Sequence, residues 1–206
     1  MDATFLISAF VTLFVIVDPI ALAPLFVALT RGMDAAQRRR IGLRACIIAI
    51  VLMTLFGLLG EKILRVIGIS MPAFRISGGI LLFLTALDML FERRTQRREG
   101  QAPLPDHDPS VFPLATPLIA GPGAFTTMIL LVNTPGADWT HTLAVHAIMA
   151  AVVGIAFLFF LMAGLIERAL GRTGSVVVTR LLGMLLAALS VQFVLDGVRG
   201  TGLIGG

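Results

Sequence analysis

Asp18 and Pro19 interrupt an otherwise almost purely apolar stretch that runs from Phe5 to Leu29, in the sequence VDPIALAP. A carboxylate is costly at membrane depth, and proline removes a backbone N–H donor and clashes with the preceding helical turn. Such a break leaves carbonyl oxygens that can bind a cation, and the next helical segment begins with N–H groups that can bind an anion. The pattern therefore predicts a site for a small zwitterion or a coupling cation, with helix capping by Asp18 as the structural alternative.

A second interruption of the same kind occurs in TPLIAGPGAF, where Pro122 stands between Gly121 and Gly123 and follows Pro117. Backbone groups freed at membrane depth are tolerated only where they face protein or a water-filled cavity. Two broken helices at matching places favour a midplane substrate site, although proline kinks can also serve packing alone. The predicted substrate-binding residues are Asp18, Pro19, Ile20, Ala21, Gly121, Pro122, Gly123, Ala124 and Thr126, and Thr127 could add a second hydroxyl.

The composition identifies the setting of these breaks as a membrane. The 206 residues are 57% hydrophobic and 14% charged, with a mean hydropathy of +0.97, outside the range of ordinary soluble domains. The net charge of +4 arises from arginines in short runs between apolar blocks, with no basic face for nucleic acid. A single cysteine, Cys46, excludes an intrachain disulfide.

Apolar runs long enough to cross a bilayer predict an all-α protein with six transmembrane helices, of which helices one and four are broken. The predicted spans are 5–29, 43–60, 72–91, 111–132, 143–166 and 180–198. Arginine is concentrated in the loops after spans one, three and five, which predicts cytoplasmic loops there and both termini outside, periplasmic in a bacterial inner membrane. The residues counted are Arg31, Arg38, Arg39, Arg40, Arg44, Arg93, Arg94, Arg97, Arg98, Arg168 and Arg172, against Lys62, Arg65 and Arg199 on the other side.

The two halves of the chain repeat a pattern. Arg75 and Gly78 in one half correspond to Arg180 and Gly183 in the other, each pair followed by a hydroxyl residue, and a similar distance separates each arginine from its upstream proline. With three spans per half, the second copy must be inverted, as in secondary transporters. One transmembrane domain, 1–206, is thus predicted to comprise repeat one (1–91), a cytoplasmic loop (92–110) and repeat two (111–206). Candidate pathway or coupling residues are Asp18, Arg75, Thr85, Arg180 and Ser190; interfacial snorkelling is the alternative for the arginines.

Taken together, VDPIALAPLFVALT, FRISGGILLFLTALDML, ATPLIAGPGAFTTMILL and RLLGMLLAALSVQFVLDGV make the chain resemble the MarC family over nearly its whole length. That resemblance implies a six-span protein of the bacterial or archaeal inner membrane, distantly similar to LysE-type exporters. It also implies transport of small neutral amino acids such as glycine and alanine, with the two breaks as the site. Many relatives carry Gly-Asn where this chain has Ala21-Leu22, so the resemblance leaves the exact substrate open.

The function expected from the sequence is secondary transport of a small neutral amino acid, coupled to a proton or sodium ion at Asp18. The sequence has no nucleotide-binding loop and no HExxH motif, so we expect no enzymatic activity, no cofactor, no resident metal and no nucleic-acid partner. The oligomeric state stays open. The alternatives are an exporter of drugs or metal cations, or a membrane protein without transport activity.

Overall fold

The computed structural model describes residues 3–30, 32–91 and 108–202, and every element in those ranges is a helix, which confirms the all-α class. Sixteen residues of the predicted loop 92–110 lie outside the described ranges. In chain order the helices are α1 (Ala3–Val17), α2 (Pro19–Leu29), α3 (Ala35–Ile67), α4 (Met71–Leu90), α5 (Ser110–Ile119), α6 (Pro122–Val132), α7 (Trp139–Leu161) and α8 (Ala163–Gly200).

Among the described residues, five helical segments are long and apolar enough to cross a membrane, and α5 with α6 forms a sixth if this bent pair is one span. Helices α5 and α6 meet at a bend of 56°. Helices α1 and α2 form a single span, Ala3–Leu29, despite the break at Asp18. The large apolar side chains exposed on α3 and α4, such as Val51 and Leu84, are those that lipid would cover. The chain is therefore a polytopic membrane protein, as predicted.

Helix boundaries differ from the predicted spans because polar caps extend the helices beyond the apolar runs. Helix α3 begins at Ala35, eight residues before the predicted span start at 43, because Asp34 caps it. The Asp34 Oδ1 accepts from the Gln37 N–H at 2.8 Å, and the Gln37 side chain accepts from the Asp34 N–H at 3.2 Å. Asp138 likewise begins α7 before residue 143, by accepting from the His141 N–H. At its other end α7 stops at Leu161, where residue 166 had been predicted, and α8 carries a break at Gly171 (φ 60°).

Small residues let α4 and α8 cross in close antiparallel contact. A Cβ at Gly79 would lie 2.8 Å from the Ser190 carbonyl oxygen, and one at Gly183 would lie 3.2 Å from the Ala86 carbonyl oxygen. At the far end Gly197 approaches the Pro72 carbonyl oxygen equally closely. Glycine is required at these places because backbone meets backbone, as is common where membrane helices pack.

The contacts that helices of the first half make with the second half have counterparts when α1, α2, α3 and α4 are matched to α5, α6, α7 and α8. Helix α2 packs on α7 and α8, while α6 packs on α3 and α4; α1 packs on α7, while α5 packs on α3. Helices α3 and α7 contact each other, as do α4 and α8. Phe5 near the start of α1 contacts His141 at the start of α7, and Gly200 at the end of α8 contacts Pro72 at the start of α4. Because the end of α3 and the start of α7 line one cavity, both contacts lie at the same end of the bundle, which we call the termini end.

Candidate functional site

The first break is a single residue in the left-handed conformation. Asp18 has φ 52° and ψ 64°, the one non-glycine residue with positive φ among those described. Its N–H bonds the Phe14 carbonyl oxygen at 2.9 Å and so ends α1, while its Oδ1 accepts from the Ala21 N–H at 3.3 Å and so caps α2. Pro19 takes the first helical position, where its missing N–H is tolerated, but the Val15 carbonyl then receives no bond from residue 19.

The second break is longer and more irregular. Helix α5 is a π-helix. Its backbone is extended at Phe112 and Thr116 because each of these residues precedes a proline. Both of these X–Pro bonds are cis. Helix α6 then begins at Pro122 behind Gly121, which offers no side chain to cap it. The α6 N-terminus therefore lacks the carboxylate that Asp18 supplies to α2.

The structure places the two breaks side by side. A Cβ at Gly123, in the first turn of α6, would lie 3.6 Å from Ile16, which is two residues before Asp18, and 3.0 Å from Leu82 of α4. Gly78 of α4 lies against the Thr126 methyl so closely that a Cβ has no room. Phe125 stacks on Phe56 of α3, with ring centroids 4.2 Å apart, and holds α6 against α3.

Most of the predicted binding residues are buried around this junction. Asp18 is fully buried, as are Pro19, Gly123 and Ala124, and Thr126 is nearly so. Ile20, Ala21 and Gly121 are half-buried, and Pro122 is exposed. The buried members surround the two helix breaks, and Pro122 lies at the exposed edge of this junction.

Pro24, the second proline of VDPIALAP, does not end a helix. It lies inside α2, which continues from Pro19 to Leu29. The Pro24 ring is on the exposed side of the helix, where its missing bond to the Ile20 carbonyl is accommodated without ending the helix.

The two predicted pathway arginines do not meet at the junction. Arg75 lies near the start of α4, at one end of the crossing between α4 and α8. Arg180 lies near the other end and is exposed, since neighbouring Gly183 packs beside Met89 at the end of α4. Ser190 is buried in the crossing and its hydroxyl donates to the Ala187 carbonyl oxygen at 2.7 Å. The half-buried Thr85 hydroxyl bonds back to Leu81.

Two buried polar atoms without a hydrogen-bond partner lie close to the site. The Thr127 hydroxyl is fully buried one turn after Gly123, on the same face of α6. His146 donates from Nδ1 to the Thr142 carbonyl oxygen at 2.7 Å, which leaves its buried Nε2 facing Gly57 of α3 and Met128 of α6. The sequence indicated Thr127 only as an added hydroxyl and did not indicate the burial of either group, because burial depends on which helices pack together.

Two carboxyl groups outside the spans are held in the ionised form. The N–H of His141 donates to Asp138 and lowers the pKa of that carboxyl, and the N–H of Ser110 does the same for the pKa of Asp108, helped by Arg44. Within the described ranges no group of three or more His, Cys, Asp or Glu side chains is arranged to hold a metal ion.

Comparison with known proteins identifies the family. The family model described as MarC family integral membrane protein matches residues 3–201. The chain belongs to the MarC family. This MarC family chain is 36% identical to the UPF0056 inner membrane protein YhgN of Escherichia coli K12, over 94% of the chain and 96% of the relative. It is 33% identical to the UPF0056 membrane protein YvbG of Bacillus subtilis, over 97% of both proteins.

An archaeal relative is as similar as the bacterial ones. A UPF0056 membrane protein of Methanocaldococcus jannaschii is 36% identical to this MarC family chain, over 97% of the chain and 98% of the relative. No solved structure matches the chain. The full-length coverage means that both breaks and the crossing of α4 and α8 fall inside the region shared with these relatives.

Proposed function

We propose that this MarC family protein is a secondary transporter of small neutral amino acids, such as glycine and alanine, in the bacterial inner membrane. The observation that carries the proposal is the junction of the two breaks, where Gly123 lies against Ile16 beside Asp18. Two discontinuous helices from corresponding positions of the two halves are the usual pointer to a midplane transport site. Moving a solute requires no catalytic group and no cofactor, and the proposal assigns none.

The two helix starts at the junction differ in charge. Asp18 supplies a negative group to the start of α2, whereas the α6 start, behind Gly121, has no carboxylate of its own. We assign the carboxylate of the solute to the Gly123 and Ala124 N–H groups and its ammonium group to Asp18. A zwitterion supplies both charges in one small molecule, which matches this arrangement.

The size of the solute follows from the residues around the α6 start. Gly121, Gly123 and Ala124 have little or no side chain, and even a Cβ at Gly123 would come within 3.0 Å of Leu82. A solute with a hydrogen or a methyl side chain fits such a site better than one with a large side chain. The buried Thr127 hydroxyl adds one more hydrogen-bonding group on the same face.

Alternating access would follow from the inverted repeat. Two observations support such a repeat. Helix α2 of the first half contacts α7 and α8 of the second, and the corresponding α6 of the second half contacts α3 and α4 of the first. The corresponding helices α4 and α8 also cross each other antiparallel. The placement of both termini at one end supports an even number of spans, and the arginine distribution favours a periplasmic termini end. Asp18 is the assigned place for a coupling proton or sodium ion.

The test begins with thermal unfolding of the purified protein against glycine, alanine, serine, larger amino acids, cationic drugs and divalent metals. We expect stabilisation by the small neutral amino acids alone, since a ligand at about 100 times its Kd adds roughly 2.7 kcal/mol. Asp18→Asn should abolish this stabilisation and glycine uptake into liposomes. Asp34→Asn makes the same change at an exposed helix cap and should preserve both. A shift only with drugs or metals would overturn the proposal.

A further inference from the structure

A cavity of about 470 Å³ lies at the termini end, between the second half of α3 and the loop that joins α6 to α7. Its volume falls within the range of roughly 300–1,000 Å³ that is usual for small-molecule sites. Asn133 on its wall is ten residues along α6 from Gly123, which corresponds to about 15 Å of helix. The cavity is therefore separate from the junction of the two breaks.

Helix α3 presents one face to this cavity. Leu58, Glu61 and Lys62 are spaced three and four residues apart and so share a side of the helix. Glu61 is fixed by Arg65, whose Nη2 donates to Oε1 at 2.7 Å, while Oε2 of Glu61 takes no part in that bond. The wall thus carries an oriented carboxylate, an ammonium group and an apolar side chain next to each other.

Helix α6 ends on the opposite wall with hydrogen-bond acceptors. The Asn133 amide donates from Nδ2 to the Ile129 carbonyl oxygen at 2.8 Å, which leaves Oδ1 to accept. The Thr134 hydroxyl uses its single hydrogen on the Leu131 carbonyl oxygen at 3.0 Å and can then only accept. Carbonyl groups at a helix C-terminus add partial negative charge, which favours a cation there.

We propose that this cavity is a second binding site, for a small zwitterion with a primary ammonium group. Glu61 Oε2, Asn133 Oδ1 and Thr134 Oγ1 are three acceptors for the three N–H donors of that ammonium group. The Lys62 ammonium pairs with the carboxylate of the ligand, and Leu58 and Val132 contact its apolar part. The assignment rests on the cavity itself and holds whether or not the junction at Asp18 transports the same solute.

The chain carries its own reporter for this site. Trp139 lines the cavity, is the single tryptophan of the protein, and is not accompanied by any tyrosine. Its fluorescence therefore comes from the cavity wall. We expect a saturable change with glycine or alanine, and a change only at far higher concentration with acetate or methylammonium, each of which supplies one of the two charges.

The variants separate the cavity from the junction. Glu61→Gln and Lys62→Met should each weaken the fluorescence titration about tenfold or more, since each removes a charge-assisted bond. Asp196→Asn removes a carboxylate that is ion-paired to Arg199 at 3.8 Å and does not line the cavity, so it should leave the titration unchanged. Asp18→Asn should also leave it unchanged, even if it abolishes transport.

Three results would overturn this proposal. The first is a wild-type titration without a saturable change for any small amino acid. The second is an undiminished titration in both cavity variants. The third is a titration that Asp18→Asn abolishes while the cavity variants keep it, because Trp139 would then be reporting occupancy of the junction. In that case the proposed transport site stands and the second site does not.

Discussion

Substitutions of Asp18 can separate its charge from its structural role. The residue is both the N-cap of α2 and a left-handed residue with φ 52°. Asparagine accepts the same capping bond and tolerates the left-handed region, so Asp18→Asn removes little except the charge. Glycine adopts this conformation freely and costs only a few tenths of a kcal/mol as a cap. Alanine provides neither property.

The expected cost of alanine can be worked from these two roles. Relative to Asp18→Asn, Asp18→Ala loses a capping bond worth about 1 kcal/mol and holds an alanine in the left-handed region for about 1 kcal/mol more. Its free energy of unfolding should therefore be about 2 kcal/mol lower. For a chain of this length that corresponds to a Tm lower by about 4–8 °C, whereas Asp18→Gly should stay close to Asp18→Asn.

Thermal unfolding in one detergent measures this order, and glycine uptake into liposomes measures function in parallel. All three variants lack the carboxylate, so uptake should be lost in each, regardless of stability. Equal stability of the alanine and asparagine variants would refute the capped, left-handed break as a structural element. Uptake at the wild-type rate in Asp18→Asn would show that the proposed solute contact does not need a charge.

Two further predictions concern packing and pH. Gly79→Ala forces a Cβ against the Ser190 carbonyl oxygen and should lower the free energy of unfolding by about 1–2 kcal/mol. Gly154→Ala, whose Cβ would have nothing within 4 Å, is the control and should be neutral or stabilising. Equal effects of the two variants in thermal unfolding would contradict the close crossing of α4 and α8. The His141 N–H lowers the pKa of Asp138, so the stability that this cap contributes should be present above the unfolded-state pKa and be lost as pH falls through the lower folded-state pKa. Asp138→Asn should remove that part of the pH dependence of Tm. The same dependence of Tm on acid pH in the variant and the wild type would refute the assignment.

The general architecture was predictable from sequence because a helix needs about 20 consecutive apolar residues to cross the lipid bilayer. Helix limits were less predictable, since they depend on local capping rather than on hydropathy. Asp34 and Asp138 extend α3 and α7 beyond the membrane-length apolar runs, and Leu161 ends α7 inside one. The sequence predicts that Arg75 and Arg180 are equivalent positions of a repeat, but their positions at opposite ends of the crossing follow from antiparallel packing of α4 and α8.

The candidate site was predictable to the extent that it depends on backbone chemistry. Asp18, Pro19 and Pro122 have no good place in an uninterrupted membrane helix, and the structure has a helix end or start at each. Proline alone does not indicate a break, since Pro24 is accommodated on the exposed side of α2. The orphaned His146 nitrogen and the cavity beside Trp139 depend on segments far apart in sequence, and no local pattern indicates them.

The difference between the two breaks is the reason why the proposed solute is a zwitterion. If the two halves were chemically equivalent, both helix starts would favour the same charge, and the junction would suit an ion of one sign. Asp18 removes that equivalence, because it neutralises the start of α2 and leaves the α6 start behind Gly121 without a carboxylate. In the proposed complex, a bound amino acid would join Asp18 of the first half to Gly123 of the second through opposite ends of one molecule. Such a bridge would favour the conformation in which both halves meet around the solute, and a differential affinity of this kind is what alternating access requires.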